Sequence, residues 1–183
     1  MFKTMTIALL VAAFAAGCSG KLDAHVDNVD ELLEATGEGE MEALVEMGDE
    51  AWANRGTQAS VEAAIEAWTS ALEAPSADDT DRTTMVADIY TKLAMAHYWY
   101  AHGHLRWMDD EREAKRLKSA HYEEGMSAAM NALAIRNSDW NASMEEGNSA
   151  ADSAHLLTEA DVPAMYWYAS NTGRWALLEG MVA

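Results

Sequence analysis

Trp167, Asn171 and Arg174 are the residues whose types and spacing best suit binding chemistry. They recur at helical spacing, so a helix would place them on one side. A guanidinium and an amide beside an indole combine hydrogen-bond donors with a large apolar surface. Trp175 extends this set. We therefore predict that these four side chains line a groove for a ligand or for a partner protein.

Tyr98 and Trp99 belong to a second aromatic-rich segment, and we add them to the same predicted binding surface. Tyrosine and tryptophan provide large contact areas with a polar tip, which suits a groove. The alternative is that the aromatic side chains fill the core between helices, and both roles can hold at once. For Arg174 the alternative to the groove is a buried ion pair, whose loss would destabilise the fold.

The same C-terminal segment carries small and apolar residues on its other side. Asp161 is a suitable helix cap and Pro163 fits the first turn, so the spacing predicts a helix that starts there. Met165, Ala169 and Gly173 lie on one stripe with Ala176 and Leu177, which we expect to be buried. Gly173 would then allow a neighbouring helix to approach closely, and Gly173→Leu would overpack the contact.

A histidine-rich segment offers the only candidate metal chemistry that the spacing suggests. His97, His102 and His104 precede Asp109 and Asp110, and imidazoles with carboxylates suit zinc. The spacing is not that of a helical H-E-x-x-H pair, and His97 lies on an apolar face. No G-x-S-x-G elbow and no glycine-rich phosphate loop occurs in the sequence. We therefore expect no metal, no cofactor and no enzymatic activity.

The first residues look like a bacterial lipoprotein signal. Lys3 precedes an apolar run over residues 7–16 that is too short to span a bilayer, and small residues lead to Cys18. Cys18 is the only cysteine, so an internal disulfide is excluded. We predict a signal peptide over residues 1–17, lipidation of Cys18 and a polar tether over residues 18–40, in which residues 29–35 could form a short helix. The alternative is an ordinary secretory signal with a buried cysteine.

The rest of the chain has helical periodicity and no strand-like alternation. Helical patterns cover residues 41–55, 61–72, 81–101, 114–135, 144–157 and the C-terminal segment. Small and large residues alternate before Pro75 as in the second helix of a tetratricopeptide repeat (TPR). We predict an all-α domain over residues 41–183, built from TPR-like helical hairpins packed as a repeat-type bundle. A net charge of -19 argues against nucleic acid as a partner.

Three segments resemble one known family. The run DVPAMYWYASNTGRWA (residues 161–176) is similar to the signature helix of the TRAP transporter T-component (TatT) family of helical lipoproteins. The runs GDEAWANR (48–55) and YEEGMSAAMNALAI (122–135) extend the similarity. Members of that family continue with further helical hairpins after the signature helix. The resemblance therefore implies that this chain is truncated at its C-terminus.

The resemblance also implies a function. In that family the T component is a lipid-anchored accessory of a TRAP-type uptake system, can form a homotrimer, and docks the substrate-binding P component in the periplasm. It is thought to offer a hydrophobic passage for ligand. Ser19 after the cysteine favours, by analogy, the outer membrane over the inner one. The alternative is a TPR-like scaffold lipoprotein in envelope assembly.

Overall fold

The computed structural model describes residues 29–33, 40–76 and 79–181. These residues form helices and turns and contain no strand, so the predicted all-α fold is confirmed for them. The α-helices are α1 Val29–Leu32, α2 Met41–Ala53, α3 Gln58–Glu73, α4 Asp79–Trp99, α5 Glu111–Arg136, α6 Ser138–Glu145, α7 Ala150–Ser153 and α8 Val162–Leu178. No helix in these ranges combines the length and the apolar character that crossing a bilayer requires.

Side-chain caps set the starts of several helices. The Thr57 hydroxyl accepts from the Ser60 amide at the start of α3, at 3.2 Å. Asp110 accepts from the backbone amides of Arg112 and Glu113 at the start of α5, both at 3.0 Å. These bonds satisfy amides that have no partner inside the helix. Asp110, a candidate ligand in the sequence, therefore has a structural role.

The helices pack in pairs around a shared core. α2 packs on α3, α4 packs on α5, and α8 packs on α5 and on α4. The core between the first two pairs includes the fully buried Met41, Trp68 and Ile89. The described residues thus form a helical bundle in which α8, the predicted signature helix, packs against both α4 and α5.

A distorted segment follows α4. The chain continues as a π-helix over Tyr100–His104, which contains Gly103, and then as a 3-10 helix over Leu105–Trp107. A π-turn adds a residue to the helical repeat and rotates the side chains that follow, and such turns are frequent at functional sites. His102 therefore faces a different direction from the one that uninterrupted α-helical spacing would give it.

Two predicted segments differ from the structure. The helix expected over residues 144–157 is wrong, because α6 ends at Glu145 and Gly147 turns the chain with a φ of 85°. That backbone conformation favours glycine. Within the predicted tether, α1 forms where the sequence allows a short helix over residues 29–35, but its Val29 and Leu32 pack against the core rather than standing apart from it. The signal peptide and Cys18 lie outside the described residues.

Candidate functional site

Asn171 is the largest departure from the predicted binding face. It is fully buried, and its amide donates to the carbonyl oxygen of Ala94 at 3.1 Å and to that of Trp167 at 2.8 Å. The prediction that Asn171 shares an exposed face with Arg174 is therefore wrong. The bond to Ala94 links α8 to α4, and the two bonds satisfy the buried amide nitrogen, whereas the side-chain oxygen of Asn171 is buried with no hydrogen-bond partner among the described residues.

Gly125 on α5 makes room for this buried amide. A Cβ atom at Gly125 would lie 2.5 Å from the side-chain oxygen of Asn171, closer than real atoms approach. The close-approach role that the sequence suggested for Gly173 thus belongs to Gly125. Gly173 is exposed, and nothing lies within 4 Å of the position that its Cβ would take. The expected overpacking by Gly173→Leu is wrong for the same reason.

Trp175 also lies in the core rather than in a groove. Only 8% of its surface is exposed, and its indole nitrogen donates to the Glu123 carboxylate at 2.8 Å. Leu177, predicted to be buried, is 57% exposed instead. The buried side of α8 is therefore rotated relative to the predicted stripe, although Met165 and Ala176 are buried as expected.

Tyr98, Trp167 and Arg174 do come together. The ring centroids of Tyr98 and Trp167 are 5.6 Å apart, and both side chains are half-buried. A hydrogen bond with Tyr98 raises the pKa of the Arg174 guanidinium. Arg174 is exposed, so the alternative of a buried ion pair is wrong for this residue. Trp99 belongs to a different surface, where it meets the Trp52 ring edge-on at 6.5 Å.

Arg174 opens onto a pocket of about 370 Å³ between α5, α8 and the distorted turn. This volume lies within the usual range for small-molecule sites, roughly 300–1,000 Å³. We call it the α8 pocket. Its lining comprises Ala101, His102, Arg106, Lys118, Tyr122, Arg174, Leu177 and Leu178. One part of this lining is apolar and the other carries cationic or titratable nitrogen.

The electrostatics of the α8 pocket contrast with those of the whole chain. Three of the chain's 12 lysine and arginine residues line it, in a protein with a net charge of -19. Burial lowers the pKa of His102, and the positive charges of Arg174, Arg106 and Lys118 lower it further. Burial raises the pKa of Tyr122 to about 12, so this phenol stays neutral. The pocket is therefore suited to an anion that carries an apolar part.

Sequence reasoning missed most of the pocket lining. Arg106, Lys118 and Tyr122 are distributed over the distorted turn and α5, and only the fold brings them to Arg174. The sequence gives a partial indication of this lining, because Lys118 and Tyr122 are one helical turn apart and therefore share a helix face. Among the histidines considered as metal ligands, His104 has a ring nitrogen 3.2 Å from the Arg55 carbonyl oxygen.

Comparison with known proteins does not identify a family for this chain. No model of a known protein family matches the chain, and a search of curated proteins finds no match either.

Proposed function

We propose that this chain is the periplasmic, lipid-anchored accessory (T) component of a TRAP-type solute uptake system. It docks the substrate-binding P component and holds an amphipathic anion in the α8 pocket. The observation that carries the proposal is the cationic and apolar pocket beside α8, the helix that bears the signature-like run. A carboxylate would bind the guanidinium of Arg174, and an apolar tail would pack on Leu177 and Leu178.

Exposed aromatic residues support the docking part of the proposal. Trp99 is 42% exposed, Tyr166 is 52% exposed and Trp107 is 74% exposed. Arg106 lies over the Trp107 ring, 4.3 Å from its centroid. Tryptophan, tyrosine and arginine are the residues that most often anchor protein partners, because they combine a large apolar area with polar groups. A periplasmic solute-binding protein is the partner that the proposal names.

Binding of an amphipathic carboxylate should depend on Arg174. We expect octanoate to bind the purified protein saturably, and Arg174→Gln to weaken binding about tenfold or more, since a charge-assisted hydrogen bond contributes about 1.5–3 kcal/mol. The free energy of unfolding should change by about 0.5 kcal/mol or less, because Arg174 is exposed. Isothermal titration calorimetry and urea unfolding measure the two quantities.

Arg112→Gln is the matched control for that experiment. It removes the same charge from an exposed position at the start of α5, away from the pocket lining. An equal loss of affinity in both variants would show a general charge effect and would contradict a specific site at Arg174.

Bound octanoate should also raise the pKa of His102, because an anion opposes the positive charges that lower it.

The anchor makes a separate prediction. Cys18→Ser should move the protein from the membrane fraction into the soluble periplasmic fraction, because the only thiol that could carry lipid is lost. Immunoblots of fractionated cells measure the distribution. The lipid anchor would be refuted if wild-type protein fractionated as soluble and mass spectrometry detected no lipid. That result would not affect the proposal for the α8 pocket.

A further inference from the structure

Three potential metal ligands converge on one point between α4 and α5, outside the α8 pocket lining. The Nδ1 atoms of His97 and His121 are 2.9 Å apart. An oxygen of Glu124 lies 3.1 Å from the first nitrogen and 3.3 Å from the second. Among the described residues, these three form the group of histidine and acidic side chains whose ligand atoms are close enough to share an ion.

These separations match those of a coordination sphere. Zinc binds imidazole nitrogen and carboxylate oxygen at about 2.0–2.2 Å, so neighbouring ligand atoms lie about 2.8–3.1 Å apart in octahedral and about 3.3–3.6 Å apart in tetrahedral geometry. The three observed separations need to change by only a few tenths of an ångström. Each of the three atoms can offer a lone pair, and a shared cation allows all three to do so at once.

The helices hold the ligands in place. His121 and Glu124 are three residues apart on α5 and therefore share a face, and α4 packs against that helix to supply His97. The Tyr100 ring lies 4.4 Å from the His121 ring, and the hydroxyl of Tyr100 donates to Glu62. This packing restricts the imidazole of His121 before any ion arrives, which reduces the entropy lost on binding.

Access and charge also suit a cation. The side chains of His97 and His121 are 11% and 21% exposed, whereas that of Glu124 is 57% exposed, so the group opens to solvent on the Glu124 side. The wider chain, with its net charge of -19, attracts cations.

We propose that His97, His121 and Glu124 form a binding site for one zinc ion, with any further coordination position taken by water or by a ligand. Two imidazoles and one carboxylate are a ligand set that zinc uses in proteins, with an open position. From the sequence we considered His97 together with His102 and His104 and predicted no metal site; His121 was not among the candidates, because it meets His97 only through the pairing of α4 with α5. The proposal is independent of the α8 pocket and of the uptake function.

The test uses zinc and the chelator-treated full chain. Isothermal titration calorimetry should show one zinc ion bound per chain, and zinc should raise the melting temperature, since a ligand that binds the native state stabilises it. His121→Ala should weaken zinc binding at least tenfold. Glu124→Gln keeps the side-chain shape at an exposed position and should weaken binding in the same direction. Circular dichroism without metal confirms that both variants are folded.

The double variant His102→Ala with His104→Ala is the matched control, because it removes two histidines of the neighbouring turn and leaves the proposed ligands intact. It should bind zinc as the wild type does. The proposal is overturned if wild-type protein shows no saturable zinc binding. It is equally overturned if His121→Ala and Glu124→Gln bind zinc as tightly as the wild type, since the ion would then bind elsewhere on this acidic chain.

Discussion

Replacing Arg82 with methionine should lower the free energy of unfolding by about 2–4 kcal/mol. The largely buried guanidinium donates to three backbone carbonyls: Ala74 at 2.7 Å, Leu33 at 2.9 Å and Leu72 at 3.1 Å. Methionine fills much of the same space but donates nothing, and each buried carbonyl that loses its partner costs about 1–3 kcal/mol. Urea unfolding followed by circular dichroism measures the change.

Two further variants make the Arg82 experiment specific. The free energy of unfolding of Arg82→Lys should lie between those of the wild type and of Arg82→Met. A single ammonium group cannot reproduce the planar guanidinium, which reaches three acceptors. Arg112→Met removes an exposed guanidinium and should change the free energy by about 0.5 kcal/mol or less. A loss below about 1 kcal/mol in Arg82→Met would contradict the role of Arg82 in joining α4 to the end of α3 and to α1.

Two glycine-to-alanine substitutions in helices should have opposite effects. Gly48 is buried in α2, and an added Cβ would overlap the Cδ1 and Nε1 atoms of Trp68. The Trp68 indole cannot move freely. Its Nε1 donates to the Asp49 carboxylate at 3.1 Å, and its ring centroid lies 5.8 Å from that of Trp52. Overpacking costs about 1–3 kcal/mol, which exceeds the gain in helix propensity. Gly48→Ala should therefore destabilise the protein.

Gly173→Ala is the control for that substitution. Gly173 is an exposed residue inside α8 with open space around its Cβ position. Alanine should stabilise the protein by about 0.5–1 kcal/mol through helix propensity alone. Thermal melts of the two variants give the signs directly. Stabilisation by Gly48→Ala would contradict the tight contact between α2 and Trp68.

The sequence was most informative about helices and least informative about how they pack. The patterns over residues 41–55 and 114–135 predicted α2 and α5 close to their observed bounds, because small and large apolar residues recur there at helical spacing. The helix predicted over residues 144–157 is wrong, because small residues recur there at helical spacing although glycine has a low helix propensity and favours turns. Gly147 makes such a turn, with its positive φ.

The binding face of α8 was harder to predict because this helix contacts two neighbours. A helix that packs on one partner buries one stripe, whereas α8 packs on α5 and on α4 and so buries residues on more of its circumference. Asn171 is buried because Ala94 offers a carbonyl and Gly125 leaves space, and neither residue is near it in sequence. Arg174 was placed correctly on an exposed surface.

Docking of the substrate-binding P component of a TRAP-type system, the proposed function of this chain, is tested most directly by biolayer interferometry with the purified solute-binding protein of the same system. We expect saturable binding that Trp99→Ala weakens at least tenfold, because exposed tryptophans anchor interfaces. Met47→Ala, which alters another exposed apolar side chain (59% exposed), should bind as wild type does. No detectable binding by folded wild-type protein would contradict the account and would favour a scaffold role.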